Sequence, residues 1–267
     1  ASFCVGTNFI ARRRALLSVG GFDEESITED LATAMKLHLK GWESLYYGLV
    51  YVHGDSPETI PEYIRQQWRW AKGTWEAFFK YLKLLFEKQF LLKLHQWVEY
   101  FFATSYYFLG FAWIIFLILP FFTLAFDVKP LIAKDPHLFL LIYFPYTIFP
   151  WFFYILCFRK HKGVVRGLFL SHVLHIFVSP AYVDAFFKAL FSVKTPFIST
   201  KGGKEKVDLA NYWPQILLVL LNFVSMLILM VKIFTLQANI THFIVGFWAF
   251  INFIYLSYGF KLLYKYT

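Results

Sequence analysis

Apolar side chains are spread so unevenly along this 267-residue chain that a single globular core of uniform composition is excluded. Up to about Lys88 the polarity is ordinary. Beyond it, four nearly uncharged runs at residues 97–126, 137–158, 213–236 and 241–264 each reach the ~20 residues that cross a ~30 Å hydrocarbon layer. Trp97, Trp151, Trp213 and Tyr264 stand near their ends, where amphipathic rings favour the water–lipid boundary. Hydrophobic residues make up 58% of the chain, aromatic ones 22% and charged ones only 16%, and a soluble domain of this size could not bury that excess. The chain therefore reads as a membrane protein. Two cysteines in 267 residues exclude a disulfide framework.

The basic residues give an orientation. Arg159, Lys160, Lys162, Arg166, Lys188, Lys194, Lys201, Lys204 and Lys206 all fall between the second and third runs, against Lys129 and Lys134 between the first two. With the basic loop inside, both chain ends lie in the cytosol. The net charge of +9 is then topology and attraction to lipid headgroups, and no nucleic-acid partner is needed. Residues 163–191 are apolar but carry Arg166, His172, His175, Asp184 and Lys188. They read as an amphipathic helix at the cytosolic surface, broken at Pro180, followed by a polar loop at 192–211. The chain starts without an initiator Met or a basic–apolar leader, so it is expected to belong to something longer.

Two motifs in the polar region carry chemistry. In Thr28-Glu29-Asp30, the Ser26 and Glu29 spacing is that of a capping box, which predicts a helix start with Asp30 in its first turn. The helix dipole favours the ionised carboxylate there, either as a proton acceptor for a hydroxyl or as a simple complement to the dipole. In the second motif, Thr59-Ile60-Pro61-Glu62 is another capping box. On the helix it starts, Gln66, Arg69 and Trp70 fall at i, i+3 and i+4 and share a face. A guanidinium fork for phosphate oxygens, an amide for hydroxyls and an indole for a pyranose face suit a phosphorylated sugar. The same set would also suit an interfacial helix with its Arg on lipid phosphate. A strand is expected at residues 44–53.

Phe3-Cys4-Val5-Gly6-Thr7-Asn8, Gly20-Gly21-Phe22, Thr28-Glu29-Asp30, Gly41-Trp42, Pro57-Glu58-Thr59 and Gln66-x-x-Arg69-Trp70-Ala71-x-Gly73, in this order ahead of these apolar runs, resemble the processive family 2 glycosyltransferases, most nearly the bacterial cellulose synthase catalytic subunit. The resemblance implies the C-terminal remnant of a cytosolic α/β GT-A glycosyltransferase domain at residues 1–88 and an α-helical multi-pass channel domain at 89–267. It implies Asp30 as the general base on the acceptor hydroxyl, flanked by Thr28 and Glu29 in the substrate site. Gln66 and Arg69 would bind the acceptor region and the pyrophosphate, and Trp70 would stack on the terminal sugar. A gating loop over the nucleotide would correspond to Phe197, Thr200 and either Lys201 or Lys204.

The implied partners are a UDP-sugar donor, a growing polysaccharide, the lipid bilayer of the inner membrane and an accessory membrane or periplasmic subunit. The implied cofactor is Mg2+ or Mn2+ bound with the UDP-sugar. Its carboxylates are expected upstream, because no Asp-x-Asp occurs in the chain, and the chain alone is expected to be inactive. A cellulose-like β-1,4-glucan is the leading product. A chitin, hyaluronan or poly-N-acetylglucosamine synthase, and a catalytically silent membrane subunit or transporter, remain as alternatives.

Overall fold

The computed structural model describes residues 6, 8–47, 52, 54–86, 92–128, 136–160, 163–195 and 207–266, with backbone alone at 81–86, 136–140, 142–144 and 146–147. Its elements in order are α1 (Arg13–Ser18), α2 (Glu29–Leu39), α3 (Ile60–Phe86), α4 (Leu94–Ser105), a 3-10 turn (Tyr106–Phe108), α5 (Leu109–Phe126), α6 (Pro136–Phe158), α7 (Val164–Leu190), a second 3-10 turn (Leu209–Tyr212), α8 (Trp213–Phe234) and α9 (Ile240–Lys265). No strand occurs among the described residues. Of the strand expected at 44–53, residues 44–47 and 52 are irregular and the others lie outside the described residues. The fold is helical, and nothing described represents the expected α/β remnant.

Two compact units divide the chain: Ala1–Ala112 with Val178–Val207 and Leu262–Thr267, and Trp113–Phe177 with Asp208–Lys261. The core of the first is aromatic. Trp75 of α3, 1% exposed, meets Phe108 edge-on at 4.6 Å and Phe186 at 4.9 Å, and stacks on Phe79 at 5.8 Å. Each such pair contributes about 0.5–1.5 kcal/mol beyond simple burial. Ala71, Tyr107, Val178, Tyr182, Ala185 and Ala189 complete this cluster, and Leu31, Met35, Ala77, Leu92 and Tyr100 form a second one around α2. Buried His38 at the far end of α2 bonds Tyr100 Oη through Nδ1 (2.7 Å) and Ser44 Oγ through Nε2 (2.9 Å), which fixes that end of the helix.

In the second unit Leu117, Ile176, Leu218 and Leu256 make the core. Pro120, inside α5, is tolerated because side chains of this unit serve the carbonyls it disturbs. Pro120 of α5 has no N–H for the Phe116 carbonyl. Asn252 Nδ2 donates to Phe116 O (3.4 Å), and Asn222 Nδ2 donates to Leu117 O (3.0 Å). Near Pro180 of α7, Gln215 Nε2 donates to Phe177 O, three residues ahead of the proline (3.0 Å). The break expected at Pro180 is absent, and α7 runs on through it. Where the helices of this unit meet, Gly259 admits Phe177: a Cβ on that glycine would fall 2.3 Å from the ring.

Among the described residues, four helical stretches are long and apolar enough to cross a membrane: Leu94–Phe126, Val164–Leu190, Leu209–Phe234 and Ile240–Lys265. The backbone of α6, at 23 residues, spans about 34 Å at ~1.5 Å per residue. Many of the apolar side chains on these helices face outward, Leu217, Leu220, Phe223, Met230 and Val231 among them, as a lipid surround requires.

Candidate functional site

The Thr28-Glu29-Asp30 motif opens α2, but not through a capping box. Glu29 is the first helical residue rather than the third, so its side chain cannot reach back. Thr28 N–H instead donates to Ser26 Oγ (3.2 Å), and Ala32 N–H to Thr28 O (3.1 Å). Asp30 is half-buried, and its Oδ1 accepts from the Leu31 N–H at 2.8 Å. Burial pushes its carboxyl above the ordinary aspartate value, and neighbouring Glu29 adds to that. The Leu31 N–H and the Arg69 guanidinium pull the other way without cancelling it. Gly6 closes against the carboxylate. Its φ is +51°, and a Cβ there would fall 3.0 Å from Asp30 Oδ2, so both the backbone and the space select glycine.

The second motif behaves as its spacing predicts. Glu62 N–H donates to Thr59 Oγ1 (3.3 Å), and Glu62 Oε2 accepts from the N–H groups of Thr59 (3.4 Å) and Glu58 (3.0 Å). With its start fixed in this way, α3 carries Gln66 and Arg69 half-buried and Trp70 exposed. Gly73, one turn further along, joins the two motifs. A Cβ on it would lie 2.5 Å from Thr28 Cγ2, so the bare backbone of α3 seats the start of α2. That seat puts Asp30 within electrostatic reach of Arg69.

The structure thus brings Thr28, Glu29, Asp30 and Arg69 together, with Gln66 and Trp70 on the Arg69 face of α3. Phe197, Thr200, Lys201 and Lys204 lie outside the described residues.

Sequence reasoning missed a set of phenols beside this site. Tyr107 bonds Thr74 on α3 and lies in electrostatic range of Asp30. Tyr106 bonds Tyr182, whose hydroxyl donates to Gln67 Oε1 at 2.8 Å. Burial pushes the Tyr63 phenol up to about 12, so it stays protonated and able to donate. These partners stand up to 115 residues apart, and no local spacing announces them. Among the described residues no group of three or more His, Cys, Asp or Glu side chains could hold a metal ion. The described part of the site therefore does not fit a divalent metal, and no step below is routed through one.

A half-buried carboxylate with a raised affinity for protons, an arginine within its electrostatic reach and an exposed indole one residue further along the same helix thus stand together in a chain of long apolar helices. The chain belongs to the glycosyl transferase family group 2, whose profile matches residues 1–157. It is 34% identical over 143 residues to a UDP-forming cellulose synthase catalytic subunit of Dictyostelium discoideum, covering 52% of this chain and 13% of that protein. It is 30% identical over 232 residues to the UDP-forming cellulose synthase 1 catalytic subunit of Komagataeibacter xylinus, covering 85% of this chain and 30% of that protein. The probable glucomannan 4-beta-mannosyltransferase 11 of Oryza sativa subsp. japonica is 33% identical over 101 residues, or 37% of this chain and 18% of that protein. The chain thus spans less than a third of the length of each of these relatives.

Proposed function

We propose that the chain is the C-terminal portion of a membrane-embedded processive β-glycosyltransferase, which extends a polysaccharide from a UDP-sugar and passes it across the membrane. The observation that carries this reading is the seat of Thr28 on Gly73, which holds Asp30 in the field of Arg69 on the helix that bears Trp70. Trp70 stacks on the terminal sugar and Gln66 bonds its hydroxyls. Asp30 takes the proton of the acceptor hydroxyl, whose oxygen attacks the anomeric carbon as the bond to UDP breaks. UDP leaves with the bonding electrons, steadied by Arg69, and the anomeric centre inverts. The raised affinity of Asp30 for a proton suits a base that must take one from a hydroxyl and then release it.

In this reading Phe197, Thr200 and Lys201 or Lys204 belong to a loop over the nucleotide. The Mg2+ or Mn2+ expected with the donor would be held by carboxylates other than those of the described residues, and would supply charge neutralisation of a diphosphate. Residues 1–88 then belong to the cytosolic glycosyltransferase domain and 89–267 to the channel. Both ends of the chain face the cytosol at the inner membrane, α7 lies at the cytosolic surface, and an accessory subunit receives the product.

The named activities of the 30–34% identical relatives favour a cellulose-like glucan from UDP-glucose. Inverted membrane vesicles carrying the full-length protein, fed labelled UDP-glucose, should make polymer that a β-1,4-glucanase degrades. Incorporation from UDP-N-acetylglucosamine instead, into a product cut by chitinase, would overturn the glucan assignment. No polymer from either donor would favour a silent subunit.

A further inference from the structure

The helix that bears Arg69 and Trp70 is gripped on another side by α7, within the first unit. Besides the Trp75 cluster, the two residues between Gln66 and Arg69 make polar contacts with it. Gln67 Oε1 accepts from Tyr182 Oη at 2.8 Å, and Trp68 Nε1 donates to Asp184 Oδ2 at 2.6 Å. Lys188 Nζ reaches the same Asp184 oxygen at 2.9 Å and stands 5.2 Å from the Trp68 ring centroid. Tyr182 is itself fixed: it is 1% exposed, and a Cβ on Gly110 would fall 2.6 Å from its own Cβ and 3.0 Å from Ser179 O. Its place depends on the absence of a side chain at the start of α5.

Successive residues of a helix point about 100° apart around its axis. The packing of Trp75 on Phe186 sets the two helices together one to two turns further along α3, and bonds to two neighbouring residues restrain the roll of the Gln66–Trp70 turn more than a bond to one would. The directions of Arg69 and Trp70 are then restrained too, since they are the next two residues. Asp184 and Lys188 are 49% and 40% exposed, so their ion pair adds little, and the polar part of the grip rests on the two hydrogen bonds into α3.

We propose that Gln67 and Trp68 are positioning residues, clamped by Tyr182 and Asp184 of α7, that hold the roll of α3 so Trp70 and Arg69 stay aimed at the growing sugar chain through successive additions. This rests on the acceptor-site reading of Trp70 given above. A loosened clamp lets the chain escape between additions, so product length suffers before donor affinity does.

The test uses the full-length protein in membrane vesicles supplied with UDP-glucose, reading mean product length alongside the KM for UDP-glucose. Tyr182→Phe and Asp184→Leu should each shorten the product roughly fivefold to tenfold, the factor expected for one hydrogen bond, with KM moving less than about twofold. Asp184→Asn keeps an acceptor for the indole and should restore wild-type length. The clamp is overturned if both variants lower only the amount of folded protein and leave length unchanged, or if Asp184→Asn shortens the product as much as Asp184→Leu. Trp70→Ala separates the two layers of the argument. If it shortens the product while Asp184→Leu and Tyr182→Phe do not, the clamp alone fails; if it changes nothing, the acceptor-site reading fails with it.

Discussion

Two amides on apolar-rich helices do opposite work. Gln66, in the first unit, sits half-buried on the face of α3 shared with Arg69 and Trp70. Asn222, in the second, is fully buried, and its Nδ2 donates to two main-chain carbonyls, Leu117 O at 3.0 Å and Leu218 O at 2.9 Å. The difference lies in what surrounds each. Pro120 disturbs the carbonyls that Asn222 and Asn252 serve, so in the second unit these amides are consumed in repairing backbone. In the first unit the starts of α3 and α2 are satisfied locally, by the Thr59–Glu62 box and the Ser26 turn. There the polar face of α3 carries Gln66, Arg69 and Trp70.

The comparison can be broken at its polar centre first. Asp30→Asn in the full-length protein should lower polymer formation by at least about 10²-fold, the scale of a lost general base, while equilibrium binding of UDP-glucose holds. Comparable polymer yield would remove Asp30 from the mechanism. The seat between the motifs comes next. Gly73→Val places its Cβ where Thr28 Cγ2 lies, 2.5 Å away, and such overpacking costs about 1–3 kcal/mol. Polymer synthesis should fall with it while the second unit keeps its fold, as proteolysis of the membrane-embedded helices would report. Asn222→Leu should do the reverse, costing about 0.6–2 kcal/mol for the lost interhelical bonds. Unfolding in mixed micelles would measure that loss, with the acid–base behaviour of the site unchanged.

How much of this was legible in the sequence differs between the units for the same physical reason. Local signals were reliable where the cause is local. Thr59 and Glu62 are three residues apart and form the box that their spacing predicts, and the helices at Leu109–Phe126, Trp213–Phe234 and Ile240–Lys265 lie within the apolar runs to within a few residues. Signals failed where a distant partner decides the outcome. Pro180 reads as a helix break because a proline disrupts an isolated helix, yet α7 continues through it, with Gln215, far along the chain, donating to the nearby Phe177 O. Ser26 and Glu29 have the right spacing for a cap but the wrong phase, because the helix starts at Glu29 itself. The Asp30 and Arg69 motifs could each be named, but their meeting depends on Gly73, whose missing side chain reads from sequence as a neutral gap. Tyr107, Tyr182, Gln67 and Trp68 were invisible for the same reason.

The claim at the centre is that Asp30 acts as a base whose affinity for protons is raised by burial and then by Glu29, and lowered by Arg69. The pH–rate profile of polymer synthesis tests this directly. Its acid limb should lie above the ordinary aspartate range near ~3.9. Glu29→Gln removes a negative neighbour, favours the ionised carboxylate and should move that limb to lower pH. Arg69→Gln removes a positive one and should move the limb of the residual activity to higher pH. Opposite displacements of the one limb are the predicted result. A limb that stays fixed in both variants would contradict the account.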